Sequence, residues 1–140
     1  MRAHLTRRYR FSASHRLHNP ALGDAENLRT YGKCSNPHGH GHNYGLAVTV
    51  AGQVDPRTGM VCNLADLDAF VERRVLEVFG HEHLNELPQF AGLVPTTENL
   101  ARVLHRLFAE EFRAAEVEDV QIEETSLNSF AFAGEKEIRK

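Results

Sequence analysis

The chain has no tryptophan and only two cysteines and five prolines among its 140 residues. Two thiols, Cys34 and Cys62, are too few for a disulfide framework, and the first residues lack the charged-then-apolar form of a secretion signal. Free thiols in a cytoplasmic protein are therefore expected. No apolar run approaches the ~20 residues needed to cross a bilayer, so no transmembrane helix and no membrane partner are expected. Charge of one sign is also scarce: 16 Lys and Arg stand against 19 Asp and Glu, a formal net charge of -3. That balance argues against nucleic-acid binding through bulk charge. Arg2, Arg7, Arg8 and Arg10 make the N-terminus locally basic, which reads as a solvated strand face, with phosphate steering as the other reading. A chain of this length forms one domain, residues 1–140, and buries roughly two thirds of its unfolded surface.

Histidine is abundant, with nine residues. Three of them fall at alternate positions in Cys34-Ser-Asn-Pro-His38-Gly-His40-Gly-His42-Asn-Tyr44. In an extended segment, side chains alternate and residues i and i+2 lie ~7 Å apart. Two imidazoles on one face can then lean together onto one ion at ~2.0–2.1 Å each. Gly39 and Gly41 permit close backbone approach between them.

The rest of the pattern supplies a scaffold. Residues Ala3 to His15 alternate, with Leu5, Tyr9, Phe11, Ala13 and His15 on one face. A histidine ending an apolar face is costly unless it has a hydrogen-bond or metal partner. Residues His18 to Lys33 read as a long loop with a short helix around Ala25 to Thr30. A second strand spans His42 to Val54. A helix capped by Asn63 runs from Leu64 to a stop at Gly80, and another follows Thr96. Strands at Val117 to Ser126 and Phe130 to Ala133 close the chain. The expected fold is α+β, a four-stranded antiparallel sheet with two helices on one face.

Several ordered motifs carry a resemblance. These are Phe11-Ser-Ala-Ser-His15, Gly32-Lys-Cys34 leading to His40-Gly-His-Asn-Tyr44, Asp55-Pro56 with Thr58-Gly-Met-Val61, and Asn63-Leu-Ala-Asp-Leu67. His81, Pro95-Thr-Thr-Glu-Asn99 and Glu124-Thr125 complete the set. Over nearly its whole length the chain resembles the 6-pyruvoyl-tetrahydropterin synthases and the related 6-carboxytetrahydropterin synthases of queuosine biosynthesis. The resemblance implies a tunnelling fold (T-fold) that assembles as a homo-oligomer, commonly a hexamer of two trimers, with active sites at subunit interfaces. It implies Zn2+ held by His15, His40 and His42, and a small-molecule pterin triphosphate as substrate. His38-Gly39-His40 fits the spacing of the queuosine enzymes as well, which leaves the role of His38 open.

The resemblance also assigns roles. Cys34 corresponds to the catalytic base, a role that needs a neighbouring cation to favour the thiolate. The other reading makes it a fourth zinc ligand in a closed site. Cys62 reads as packing. His81 corresponds to a proton-relay histidine, yet Gly80 stands where the family usually has aspartate. Glu82 or Glu86 could substitute for that acid, and His83 competes with His81. Glu124 corresponds to the pterin anchor and is counted in the relay, and Thr96, Thr97 and Glu98 match a pterin-contacting segment. Arg8, Arg10 and Lys33 are candidates for the triphosphate. The implied reaction converts 7,8-dihydroneopterin triphosphate to 6-pyruvoyl-tetrahydropterin. The alternatives are formation of 6-carboxytetrahydropterin and a non-catalytic zinc-binding oligomeric module.

Overall fold

A computed structural model describes residues 1–134. The alternating N-terminal segment is strand β1 (Arg2–His15), and the histidine stretch opens β2 (His40–Gln53). The two pair antiparallel from Arg2 opposite Gln53 to His15 opposite His40. Strands β3 (Glu116–Thr125) and β4 (Asn128–Phe132) form a second hairpin, and β3 pairs antiparallel with β2. The sheet order is β1-β2-β3-β4, as expected for four antiparallel strands. β2 begins two residues earlier than the sequence reading, because pairing with His15 extends it through His40.

Odd positions of β1 and even positions of β2 and β3 build one apolar face, including Phe11, Tyr44, Leu46, Val48, Val120 and Ile122. Each such side chain contributes about 1.5–3 kcal/mol by leaving water. That face packs on α2 (Leu64–Val71), whose first turn is capped by Asn63 Oδ1 accepting from Ala65 N–H at 2.9 Å. The segment continues through a π-helical turn over Glu72–Leu76 into a short α3 (Glu77–Phe79). The π turn is an irregularity that the helical spacing did not reveal. The extra residue per turn lets Val75 and Phe79 reach the core while Arg73 and Arg74 stay exposed. α4 (Thr97–Glu111) covers β3 and β4 and buries Leu100, Leu104 and Phe108. Thr96 caps it, its side chain accepting from Asn99 N–H at 3.1 Å.

The short helix in the first loop is α1 (Asp24–Tyr31). Buried Asn27 ties this loop together: its Nδ2 donates to the carbonyls of Asn19, Leu22 and Gly23, and its Oδ1 accepts from Asn19 N–H. Gly80 ends the second helical segment in extended conformation rather than as a left-handed cap, with φ at -65°. A Cβ at this position would collide with the Leu76 carbonyl oxygen.

Candidate metal centre and active site

The β1–β2 register places His15 opposite His40 and Ala13 opposite His42, so the three imidazoles share the helix-facing side of the sheet at one end. Their ring centroids are 4.7 to 5.0 Å apart, and the candidate ligand nitrogens all lie within 4.8 Å of one another. His15 Nε2 is 3.2 Å from His40 Nε2. Two nitrogens bound to one tetrahedral ion stand ~3.3 Å apart, so this spacing suits a shared zinc.

His15 is fully buried, and its Nδ1 is 2.8 Å from the carbonyl oxygen of Pro95. A carbonyl only accepts, so Nδ1 carries the proton and Nε2 turns its lone pair toward the other two rings. Tyr44 Oη lies 3.3 Å from the same Nδ1. Burial pushes the His15 and His40 imidazoles below their ordinary range, and their neighbouring histidines add to the effect. Neutral imidazole is the form that binds a metal.

Glu124, near the end of β3, completes the cluster. Its Oε1 is 3.2 Å from His42 Nε2 and 3.7 Å from His15 Nε2, while Oε2 accepts from Asn128 Nδ2 at 3.1 Å. Despite this proximity, the alignment gives no hydrogen bond to His42 Nε2, which is buried without such a partner among the described residues. A buried nitrogen in that condition is costly. A cation seated between the three rings would satisfy it, so the residues present fit zinc.

The other expected site residues divide into those near this centre and those apart from it. Thr96, Thr97 and Glu98 open α4 directly after Pro95, the residue that orients His15. Thr97 is buried and its hydroxyl has no partner among the described residues, whereas Glu98 is exposed. Cys34 lies on a 3-10 turn, Gly32–Ser35, tied to the exit of β1 by a Leu17 N–H to Cys34 carbonyl bond of 2.8 Å. The Tyr44 phenol is pushed above its ordinary range by burial first, then by the charges of Glu124 and Cys34. Cys34 is half-buried and Lys33 beside it is exposed. Arg8 and Arg10 stand on the opposite face of the sheet, in a cleft they share with Gly45, Ala47, Gln121 and Glu123.

His38 precedes β2 in an exposed turn, so it does not share the strand face of His40 and His42. His81 is exposed at the outer edge of β1 and lines a surface cleft with Ser12, Ser14, Asn43, Glu82 and His42 of the triad. Cys62 is half-buried against the core, in keeping with a packing role. Sequence reasoning missed two supporting residues. Both stand within the quoted motifs without this role: Tyr44 was legible in principle, two residues beyond His42 on the same strand face, whereas nothing local ties Pro95 to His15, 80 residues away. Among the described residues, no helix is long and apolar enough to cross a membrane.

Comparison with known proteins agrees with this geometry. The profile of the family described as 6-pyruvoyl tetrahydropterin synthase matches residues 4–135. The chain is 45% identical over 134 residues to 6-pyruvoyl tetrahydrobiopterin synthase of Pongo abelii, covering 95% of this chain and 92% of that protein. The human protein of the same name is 44% identical over 134 residues, with the same coverage. The solved structure of Caenorhabditis elegans 6-pyruvoyl tetrahydropterin synthase superposes with a TM-score of 0.89 at 39% identity, covering 96% of this chain and 97% of that one. With residues 4–135 matched and a triad of imidazoles where the ordered motifs place it, the chain belongs to the 6-pyruvoyl tetrahydropterin synthase family.

Proposed function

We propose that this protein is a zinc-dependent carbon–oxygen lyase that converts 7,8-dihydroneopterin triphosphate to 6-pyruvoyl-tetrahydropterin with loss of triphosphate. The observation that carries the reading is the largely buried cluster of His15, His40 and His42 with the Glu124 carboxylate beside it. Bound there, zinc would supply Lewis acidity to the substrate's side-chain hydroxyls.

The chain's own residues account for the rest of the chemistry. Glu124, held by Asn128, accepts hydrogen bonds from the pterin ring. Thr96, Thr97 and Glu98 at the start of α4 contact the same ring. Cys34 acts as base and removes a proton from a side-chain carbon. The electron pair shifts into the ring, which takes up a proton. Loss of a second proton, from the carbon next to the one bearing the triphosphate, then supplies the electron pair that expels triphosphate, and the resulting enol tautomerises to the ketone. Lys33, next to Cys34, suits that anion better than Arg8 and Arg10, which face away from the triad.

His81 manages proton traffic in this scheme. It lies at the edge of β1, so it serves a site shared with an adjoining copy in a homo-oligomer, which we take to be a hexamer. The free thiols fit a cytoplasmic enzyme. Incubation of the purified protein with dihydroneopterin triphosphate, followed by mass spectrometry, tests the proposal. The expected product is 6-pyruvoyl-tetrahydropterin. Accumulation of 6-carboxytetrahydropterin instead would move the assignment to the queuosine branch, and zinc-loaded protein with no turnover would favour a binding module.

A further inference from the structure

Gly80 removes the acid that would orient His81 through a side chain, and the backbone leaves no room to restore it. A Cβ at Gly80 would collide with the Leu76 carbonyl oxygen, to which the Gly80 N–H is itself bonded at 3.0 Å. His81 has no side-chain partner of its own among the described residues and is exposed. Its backbone is nevertheless tightly defined. With φ at 60° it is the one non-glycine residue with a positive φ among the described residues. That conformation is uncommon for a side-chain-bearing residue, and it persists only where surrounding contacts hold it.

Those contacts come from β1. The His81 N–H donates to the Ser12 carbonyl, and the Ser14 N–H donates to the Glu82 carbonyl at 3.0 Å, so the segment runs along the strand edge. Ser14 and His83 form a parallel bridge, and the Ser14 hydroxyl shares a hydrogen bond of 2.9 Å with His83 Nδ1. Gly39 lies against the His83 ring at Cε1. A Cβ on Gly39 would come within 2.9 Å of both His83 Cε1 and the His15 carbonyl oxygen. The ring is therefore packed into a slot that only glycine leaves open, and φ at Gly39 is 71°.

From this geometry we infer that Ser14 and His83 form a side-chain clamp that positions His81, replacing through the backbone the orientation an acid at position 80 would give. Ser14 and His83 are positioning residues; neither is required to touch substrate. The inference rests on the proposed proton-carrying role of His81, but the clamp itself can be read without turnover.

The test is a double-mutant cycle on the full-length, zinc-loaded protein. Ser14→Ala and His83→Ala should each lower kcat by about tenfold with KM and zinc content unchanged. His83→Asn, whose amide can still reach the Ser14 hydroxyl, should recover most of that loss. In a His81→Gln background, adding Ser14→Ala should change kcat by less than about twofold, because two residues acting through one group are not additive. A tenfold loss that persists in the His81→Gln background would overturn the clamp, as would full activity in both alanine variants. A crystal structure of Ser14→Ala provides the readout independent of activity. His81 should leave the left-handed region there, and its retention would overturn the inference. Absence of product from the wild-type protein would count against the proposed function alone.

Discussion

Histidine–glutamate contacts link β1 and β2 to β3 at both ends of the sheet, and the two ends differ in almost every physical respect. At the open end, His4 Nδ1 lies 2.8 Å from Glu118, with 57% and 34% of the side chains exposed. Arg2 joins them by pairing with Glu116 and Glu118. At the other end, His42 Nε2 lies 3.2 Å from Glu124, with exposures of 16% and 15%, and fully buried His15 lies beyond at 3.7 Å. The shorter contact has the lesser consequence. In water each charge at the open end is already solvated, so the pairing changes little. At the closed end the imidazole nitrogens have lost water and turn toward one another, and that deficit gives them affinity for a cation.

The largest effect should come from opening the closed end. His15→Ala removes a ligand and the group that Pro95 orients, and metal content measured by atomic absorption should fall from near one ion per chain to near zero, with product formation. Zinc retention in this variant would break the comparison. Cys34→Ala should keep its zinc and lose about 10²–10⁴-fold in kcat, the usual cost of removing a general base. Loss of zinc together with activity would make the thiol a ligand instead.

A smaller effect is expected from pH. Burial pushes His15, His40 and His105 below their ordinary range, so the folded state resists protonating them. Well above about pH 6.5 the three are neutral in both folded and unfolded chains and add no pH dependence. As pH falls below that value the unfolded chain takes up protons that the folded chain refuses, and stability drops. Thermal denaturation of metal-free protein should therefore show a lower midpoint at pH 5.5 than at pH 7.5. His105→Phe should reduce the difference, since this ring is buried against Phe132 with its Nε2 unpartnered among the described residues. The smallest effect belongs to the open end: His4→Ala should change unfolding free energy by less than about 1 kcal/mol, and that little should vanish in high salt.

The sequence revealed the closed end better than its surroundings. His15 terminates an alternating run, and His40 and His42 keep period two into β2, so strand pairing alone brings them together. Glu124 could be recognised as an acid on the apolar face beside Val120 and Ile122. Pro95, 80 residues from His15, and His83, 69 residues from Ser14, depend on how loops return to the sheet, which no local spacing records. The π turn after α2 was hidden for a different reason. Val75 and Phe79 are apolar at helical spacing whether the turn holds an extra residue or not. His81 was named from the resemblance alone, and its position beside the β1 edge, in a cleft that His42 also lines, depends on how the chain returns to the sheet after the helical segment.

The strand order also bears on the sequence of events during folding. All three imidazoles belong to the hairpin of β1 and β2, whereas Glu124 belongs to the hairpin of β3 and β4, joined to it across both helical segments. Pairing β1 with β2 closes the connection of residues 16–39, while docking the second hairpin closes the longer connection of residues 54–115 and so costs more loop-closure entropy. The cation-binding half can therefore assemble first, and an ion captured there would favour docking of the half that brings Glu124. Refolding followed by pulse-labelled hydrogen exchange should show protection in β1 and β2 preceding that in β3 and β4, and simultaneous protection would argue against this order.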